Sequence, residues 1–512
     1  AESFASSAPT WKNAIRTPVR CGMWALLIPM VILVGIALKE EGIMVSRYIF
    51  RKEYFGGLLY DRATNQLRII NHAGVKTLEL LATYDVEFSE IVPQVPERLR
   101  EDLVTFYNEV QELELLQDRE VIETLSQSCT VPDGLLSAPI QVYLFVTQRC
   151  NLKCKHCFVN ADTRDTEGLT LFQLEGLLDQ LRELKVPCIA VSGGEPFIRQ
   201  DIIDILKAIN DRGFALNITT NGTLLTPSIV QRIVDEGIKF RFVYVSIEGP
   251  KEVHEFIRGP HSFQRAIEGL KMLHKAGIKA GITATLNGLN IRRIAELEEL
   301  ALTLDAPLGI SLIKASGRAI NYMGDLFQFS IQDLAIAREE INEMRNNRDV
   351  FIYCGELEDI TSEDIALLTQ LDVAKCGAGI STASVMHDGT VMSCPYMSDY
   401  FDDQGIRRGN VLESSFRDIW MDSPEFRYVR TFRLNETCSQ CSRYRVDCMG
   451  GCPANAYQFW GDPMEIDPLC MLHGSIPRHT LLSASLRKNH TTRDAIDVSL
   501  ASEERPSGCE ES

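Results

Sequence analysis

Six short apolar segments alternate with amphipathic segments between residues 141 and 313, and this alternation constrains the fold more than any other feature of the chain. The apolar segments are rich in β-branched and aromatic residues, which is typical of buried strands, and the segments between them carry apolar residues at helical spacing. Repeated βα units require a parallel sheet with right-handed crossovers, so we predict an α/β fold built on a partial (β/α)6 TIM-like barrel. The predicted strands are 141–147, 188–192, 215–219, 241–247, 279–285 and 308–313, and the predicted helices include 171–184, 227–236, 263–276 and 291–304.

Three closely spaced cysteines, Cys150, Cys154 and Cys157, follow the first predicted strand. Chemistry in such folds collects at the C-terminal ends of the strands, where this cysteine loop lies. A fully ligated iron–sulfur cube needs four thiolates, so three cysteines without a fourth nearby predict a cube with one iron open to a substrate. A zinc knuckle or buried free thiols are the alternatives.

The next three predicted strands also end in polar residues and glycines. Gly-Gly-Glu at 193–195 follows the second strand, where the glycines would let the backbone approach a ligand and the carboxylate could bind a cationic amine. Asn221 lies in the turn after the third strand. Ser246 and Glu248 end the fourth strand and lie two residues apart, which places them on one face. Each turn alone would be ordinary, but three in consecutive register after a cysteine triplet indicate a ligand site.

Residues 137–330 resemble the radical S-adenosylmethionine (SAM) enzymes, because the three cysteines match their cluster loop and Gly-Gly-Glu-Pro matches their methionine-binding motif. Ser246 and Glu248 resemble the ribose-binding pair of that family, although the second position is more often Asp. No protein side chain is assigned as catalytic. The resemblance assigns SAM binding to His156, Gly193, Gly194, Glu195, Asn221, Ser246 and Glu248, and the SAM cluster to Cys150, Cys154 and Cys157.

The resemblance implies radical chemistry supplied by a cofactor. In that family a reduced [4Fe–4S] cluster cleaves SAM to methionine and a 5′-deoxyadenosyl radical, which abstracts hydrogen from an unactivated position. The protein contributes binding, orientation and exclusion of water. An electron donor such as flavodoxin or ferredoxin is therefore an expected partner, and the reductant-dependent cluster favours a cytoplasmic location.

Seven further cysteines lie between residues 376 and 470. In a reducing compartment, clustered thiols usually bind metal rather than form disulfides. Residues 370–475 resemble the SPASM domain, the auxiliary-cluster extension of radical SAM maturases, although six residues separate Cys441 and Cys448 where five are common. The resemblance groups the cysteines into a complete set, Cys438, Cys441, Cys448 and Cys470, and a set of three, Cys376, Cys394 and Cys452.

The set of three lacks a fourth cysteine ligand. Another side chain, water or a substrate group could complete it, and Cys354 is the outside candidate among the remaining cysteines. Zinc in one of the two sites is the alternative to iron–sulfur clusters. Cys188 begins a predicted buried strand, so we expect it to be a core residue.

Residues 46–118 are predicted to form a small α+β, winged-helix-like unit. Strands are predicted at 48–62 and 66–70, and helices at 73–84 and 97–116. The order resembles the PqqD-like leader-recognition element of enzymes that modify ribosomally made peptides. The resemblance implies that an exposed strand edge and the adjacent helix capture a precursor's leader by strand addition. The alternative is a domain that only braces the barrel.

The two ends of the chain carry separate predictions. Within residues 1–43, the segment 21–38 holds 18 uncharged, largely apolar residues, just long enough for a membrane span. Because Met44 directly precedes the winged-helix-like unit, we favour a start at Met44 over a membrane anchor, and a signal peptide is disfavoured. Residues 482–512 are predicted to be disordered. The net charge of −18 disfavours nucleic acid as a partner.

Together these resemblances predict a radical SAM maturase that modifies a ribosomally synthesised precursor peptide by hydrogen abstraction. The alternative is a small-molecule enzyme of tetrapyrrole (haem) or pyrroloquinoline quinone biosynthesis, because residues 451–470 resemble the C-terminal segment of those enzymes. A protein that uses its clusters only for electron transfer is disfavoured, because the SAM motifs would then have no role.

Overall fold

The structure, a computed structural model, describes residues 46–472 except 85, 128–133, 165–167, 348–349, 353–375, 446–447 and 471, together with Val19–Arg20. Two sheets organise this part of the chain, one of four strands and one of ten. The segments 21–38 and 482–512 lie outside the described residues, and no described helix is long and apolar enough to cross a membrane.

The small sheet is antiparallel, with the strand order β1-β4-β3-β2. Its strands are β1 Val19–Arg20, β2 Tyr48–Glu53, β3 Gly56–Asp61 and β4 Gln66–Asn71. The run predicted as one strand over 48–62 is in fact a hairpin of two strands. Gly56 begins the second with a φ of +133°, and a Cβ there would lie 2.2 Å from Ile70 O, so glycine permits the tight reversal.

Helices cover one face of this sheet. They are α1 His72–Thr83, α2 Phe88–Ile91, α3 Arg100–Glu112 and α4 Arg119–Leu125, with 3₁₀ turns at Val92–Gln94, Glu97–Leu99 and Leu115–Gln117. The helix predicted over 97–116 is shorter because Glu114 adopts a left-handed backbone conformation, with φ of 53°. Helix α4 lies beyond the expected boundary at 118, yet Val121 and Leu125 are buried in the same core as the sheet.

Both faces of the small sheet are buried because side chains alternate along each strand. Tyr48, Phe50, Leu59 and Ile70 pack in the core under the helices, whereas Ile49, Leu58, Leu67 and Ile69 belong to the core of the large sheet. At the junction, Arg51 Nη2 donates to Ala138 O at 2.8 Å and Ser137 N donates to Glu53 at 2.9 Å. The unit therefore braces the barrel, so any capture of a peptide has to use a sheet edge.

The large sheet contains the six predicted parallel strands as consecutive neighbours, which confirms the partial barrel. They are β5 Gln141–Phe145, β6 Cys188–Ser192, β7 Ala215–Thr220, β8 Phe242–Ser246, β9 Ala280–Leu286 and β10 Leu308–Leu312. The helices that accompany them are α5 Leu171–Glu183, α6 Ile202–Asp211, α7 Pro227–Asp235, α8 Lys251–Arg258, α9 Ser262–Lys275, α10 Ile294–Thr303, α11 Met323–Leu326 and α12 Ile331–Asn347. Cys188 is buried in this core, as expected.

Four more strands extend the sheet at its two edges. β11 Val350–Ile352 pairs in parallel with β10, and β12 Thr382–Val385 pairs in parallel with β5. β13 Thr390–Met392 and β14 Gly409–Asn410 then add antiparallel strands beyond β12. The C-terminal cysteine-rich domain thus shares the barrel's sheet. Its helices are α13 Ser398–Asp403, α14 Phe416–Asp422, α15 Pro424–Val429, α16 Glu436–Ser439 and α17 Pro453–Trp460.

Candidate active site and metal centres

The cysteine loop follows β5 at the C-terminal edge of the barrel. Burial raises the pKa of the Cys150 thiol to about 12 and that of Cys154 to about 11, and the neighbouring thiols add to the effect. Backbone N–H groups support the sulfurs: Leu152 N lies 3.4 Å from Cys150 Sγ, and Ala161 N lies 3.3 Å from Cys157 Sγ. Such crowded thiols ionise together only beside positive charge, which the iron of a cluster supplies, so the loop fits an iron–sulfur centre.

The loop after β6 is locked onto the cysteine loop. Gly194 N donates to Thr147 O at 2.6 Å, and Glu195 N donates to Arg149 O at 2.8 Å. A Cβ on Gly194 would lie 2.0 Å from Arg149 O, and one on Gly193 would lie 2.4 Å from Thr147 O. The glycines therefore let two protein loops meet, and the close approach of a ligand to them stays a prediction.

Glu195 is buried and joins the ends of two strands. Its Oε1 accepts from Thr220 Oγ1 at 2.6 Å, and its Oε2 accepts from Asn221 N at 2.7 Å. Burial raises the pKa of Glu195, although these hydrogen bonds favour the ionised carboxylate. Asn221 Nδ2 donates to Asn151 Oδ1 at 2.9 Å and lies 3.9 Å from Cys150 Sγ. Both predicted residues therefore lie beside the cysteine loop and organise it.

Glu248 forms a buried ion pair with an arginine that sequence reasoning missed. Its carboxylate accepts from Arg258 Nε at 2.8 Å, from His156 Nε2 at 3.1 Å and from Thr285 N at 2.8 Å. Burial alone would raise the pKa of Glu248, but Arg258 and His156 outweigh it and hold that pKa well below its usual range. Ser246 is buried two residues earlier on the same edge. The structure thus brings His156 into contact with Glu248, and both oxygens of Glu248 accept hydrogen bonds.

Arg258 connects this ion pair to the cysteine loop. It ends helix α8, and its Nη1 lies 4.0 Å from Cys154 Sγ. His254, on the same helix, accepts a hydrogen bond from Glu248 N at 3.2 Å, and burial lowers its pKa to about 3. The sequence signal that could have identified Arg258 is its position at the end of the helix that directly follows the Ser-Ile-Glu turn.

The C-terminal cysteines lie in two arrangements. Cys376, Cys394 and Cys452 line one cavity of about 50 Å³. In the other set, Cys441 N donates to Cys438 O at 3.2 Å, and Gly450 N lies 3.3 Å from Cys448 Sγ, while Cys470 follows on a separate segment. Cys354 lies outside the described residues.

Asp467 links the two C-terminal sets of cysteines. Its Oδ2 accepts from Cys452 N at 2.7 Å, and its backbone carbonyl accepts from Cys470 N at 2.9 Å. Across the described residues, no three His, Cys, Asp or Glu side chains are close enough to hold a single metal ion. An iron–sulfur cube makes a different demand, because it binds each thiolate to a different iron.

The fold and the cysteine loop define a class of protein. Residues 144–301 match the radical SAM superfamily, and residues 376–442 match SPASM, an iron–sulfur cluster-binding domain. The chain belongs to the radical SAM superfamily. It is an enzyme that uses SAM and a [4Fe–4S] cluster, with auxiliary iron–sulfur in its SPASM domain.

The chain is also similar to individual proteins of known activity or structure. The chain is 30% identical to the mycofactocin maturase MftC of Mycobacterium tuberculosis (strain CDC 1551 / Oshkosh) over 375 residues, which cover 71% of this chain and 89% of MftC. It is 27% identical to the AdoMet-dependent heme synthase of Nitratidesulfovibrio vulgaris over 352 residues, which cover 64% of this chain and 90% of the synthase. Its fold is similar to that of Streptococcus suis SuiB, solved with SAM and with the precursor peptide SuiA, at a TM-score of 0.60 and 20% identity, covering 83% of this chain and 99% of SuiB.

Proposed function

We propose that this enzyme is a maturase that modifies a ribosomally synthesised precursor peptide by hydrogen abstraction. Two comparisons support the proposal: the 30% identical relative is a maturase, and the similar fold of SuiB was solved with a precursor peptide. In this chain, the observation that supports the proposal most directly is that one edge of the small sheet pairs with an added strand.

That edge belongs to β4, where an added strand already pairs. Val19 lies opposite Leu67 and Arg20 lies opposite Gln66 in antiparallel register. An edge that accepts two residues of its own chain offers main-chain donors and acceptors that a leader peptide could use in the same way. Residues 46–118, extended to include α4, are therefore proposed as the leader-recognition domain.

Side chains beside this edge could add specificity. Arg68 Nε on β4 is buried without a hydrogen-bond partner among the described residues. Burial raises the pKa of Glu109 on α3, and Arg68 is close enough to oppose that rise. Val104 on the same helix is 40% exposed. A leader paired with β4 would therefore lie beside Arg68, whose Nε has no described hydrogen-bond partner.

The barrel supplies the proposed SAM site. Cys150, Cys154 and Cys157 would hold the SAM cluster, which supplies the reductive cleavage of SAM when it is bound. We assign Ser246 to the ribose. Both oxygens of Glu248 already accept hydrogen bonds from the protein. Glu248 would therefore contribute to SAM binding indirectly, by holding Arg258 and His156 in place.

The remaining predicted SAM-binding residues form the wall next to the cysteine loop. Glu195 fixes the ends of β6 and β7, Asn221 contacts the cysteine loop, and the two glycines close the backbone around it. Their shared role is to orient the substrate and exclude water.

Binding of a precursor peptide encoded beside this protein's gene, measured with the full chain, tests the proposal. A labelled leader peptide should bind, and Arg68→Glu should weaken binding roughly tenfold or more, because it replaces the unsatisfied donor by a carboxylate. Arg119→Glu is the matched control, because Arg119 lies in the same unit, has a 90% exposed side chain and forms an ion pair with Glu123 on its own helix. Equal binding by both variants, or no binding by the parent, would contradict peptide capture at this edge.

The 27% identical heme synthase supports a second candidate, a tetrapyrrole-modifying enzyme. Such an enzyme would consume a porphyrin precursor and form deoxyadenosine without any peptide. Incubating the reduced holoprotein with SAM and either substrate separates the two functions by mass spectrometry of the products.

We also propose that a low-potential flavodoxin or ferredoxin in the cytoplasm supplies the electron. The support is chemical: one electron must enter from outside the SAM cluster for each reductive SAM cleavage. Deoxyadenosine formation with such a protein in place of dithionite tests the partner.

A further inference from the structure

Arg258 and Arg318 both contact the cysteine loop of the barrel, but they act on different atoms. Arg318 holds the backbone of the loop: its Nη1 donates to Cys154 O at 3.0 Å, and its backbone N donates to Cys157 O at 2.8 Å. Arg258 instead approaches a sulfur, because its Nη1 lies 4.0 Å from Cys154 Sγ. Of these two arginines, Arg258 is therefore the one whose guanidinium lies next to the sulfur of a predicted cluster ligand.

A backbone contact fixes the position of Arg258. It is the last residue of helix α8, and Lys155 N in the cysteine loop donates to Ile257 O at 2.9 Å. The end of the helix is thus tied to the loop one residue away from Cys154 and one residue away from Arg258. An arginine on an open surface samples many rotamers, whereas one held in this way keeps its charge near the sulfur.

The ion pair with Glu248 orients the guanidinium. Arg258 Nε donates to Glu248 Oε1 at 2.8 Å, and the two side chains are 12% and 0% exposed. This leaves Nη1 as the atom of Arg258 that reaches Cys154. The pKa of Cys154 reflects the same order of charges: burial raises it, Arg258 opposes the rise, and Glu248 adds to the rise less strongly than Arg258 opposes it. The pair is neutral as a whole, but its positive end dominates at the sulfur.

A fixed positive charge at this place has a predictable effect on a cluster bound by the loop. Reduction of a [4Fe–4S] cluster adds one negative charge, and its reduction potential depends on the surrounding charge, hydrogen bonding and solvent exposure. Arginine stays protonated even when buried, and charges interact more strongly away from water. Arg258 should therefore stabilise the reduced cluster relative to the oxidised one, and Glu248 should oppose it.

We propose that Arg258 raises the reduction potential of the SAM cluster and that Glu248 limits this rise. Arg258 is then a positioning residue that acts through its charge, and no bond in the ion pair forms or breaks when the cluster accepts one electron from the donor protein. The inference rests on the proposed assignment of the three loop cysteines to the SAM cluster. It does not depend on whether the substrate is a peptide.

A redox titration of the anaerobically reconstituted full chain at pH 8 without SAM, followed by electron paramagnetic resonance, tests the proposal. The signal of the SAM cluster is the one that is lost when the three loop cysteines are replaced by Ala. Arg258→Gln should lower the ratio of reduced to oxidised SAM cluster at a fixed potential roughly tenfold, equivalent to about 59 mV for a one-electron couple. Glu248→Gln should raise that ratio, because it leaves the arginine without its counter-charge. Arg258→Lys keeps the charge and should stay closer to the parent than Arg258→Gln does.

Lys251→Gln is the matched control, because Lys251 is exposed at the other end of the same helix and its loss should leave the potential unchanged. An unchanged potential in Arg258→Gln would overturn the role of the ion pair. Shifts of Arg258→Gln and Glu248→Gln in the same direction would also overturn it, because they would indicate lost packing or water entry rather than charge.

If Arg258→Gln fails to fold or to bind the cluster, Glu248→Gln decides, since an unchanged or lowered ratio there contradicts the proposal and a raised one supports it. A SAM-responsive signal that survives in the triple cysteine variant would overturn the assignment of the SAM cluster to the loop, and this inference with it. Equal potentials in a set where the triple variant does lose the signal would overturn the role of Arg258 alone. The measurement uses no peptide, so a failure of the maturase proposal would appear only in the separate binding and modification assays.

Discussion

The cysteine loop of the barrel and the cysteines of the C-terminal domain use the same side chain in different settings. The loop is one short segment, and the charged groups around it are paired: Glu248 with Arg258, and Glu195 with hydroxyl and amide donors. The C-terminal cavity gathers its cysteines from three segments, and its arginines lack carboxylate partners among the described residues. Around the cysteine loop, the named charged side chains therefore find partners within the barrel, whereas the arginines beside the C-terminal cysteines have no described carboxylate within ion-pair distance.

This difference explains how much of each site could be predicted. Cys150, Cys154 and Cys157 lie within eight residues, and the strands around them follow local periodicity, so the sequence alone indicated both. Arg258 was missed because its importance depends on a helix returning to the cysteine loop. The pairing of β12 with β5 was also missed, because strands more than 200 residues apart carry no local sign of partnership.

The small sheet shows the same limit. Residues 48–62 were correctly predicted as strand, but the positive φ of Gly56, where the run folds back on itself, appears only in the folded chain. The sandwiching of that sheet between its helices and the barrel likewise depends on two cores that meet only in the folded chain. Local periodicity therefore predicts elements, and tertiary packing decides how they are used.

The largest expected effect comes from removing the cysteines of the barrel loop while keeping those of the C-terminal domain. Replacing Cys150, Cys154 and Cys157 together by Ala should abolish deoxyadenosine formation and remove one cluster, because all three thiolates that would hold the SAM cluster are lost. The C-terminal clusters should remain, since their cysteines lie on other segments. Iron and sulfide analysis with deoxyadenosine measured by mass spectrometry checks both halves. Retained SAM cleavage would show that the loop does not hold the SAM cluster.

An intermediate effect is expected when the buried ion pair of Glu248 and Arg258 is broken. Arg258→Gln leaves Glu248 buried without its main counter-charge, and breaking such a pair costs about 3–5 kcal/mol of stability. In the parent protein the pKa of Glu248 is lowered, so its stabilisation is present above the unfolded-state pKa and is lost as pH falls through the folded value.

In the Arg258→Gln variant that pH dependence should reverse. Burial should then raise the pKa of Glu248, so the variant should gain stability between about pH 8 and about pH 5, where protonation removes the unpaired charge. Thermal unfolding of the anaerobic holoprotein at several pH values measures the sign. A variant with unchanged stability, or one that loses stability as pH falls in this range, would show that Arg258 does not balance Glu248.

The smallest expected effect concerns Asp467, which joins the two C-terminal cysteine sets. Its Oδ2 accepts from Cys452 N at 2.7 Å and its Oδ1 accepts from Leu469 N at 2.9 Å. Asp467→Asn keeps the shape and one acceptor but turns an amide donor toward one of these N–H groups, which should cost about 1–3 kcal/mol. Because both bonds hold the backbone beside Cys452 and Cys470, the paramagnetic signals of the C-terminal clusters should shift while uncoupled SAM cleavage stays near the parent rate. A loss of SAM cleavage as large as that of the triple cysteine variant would mean that the two cysteine regions do not act separately.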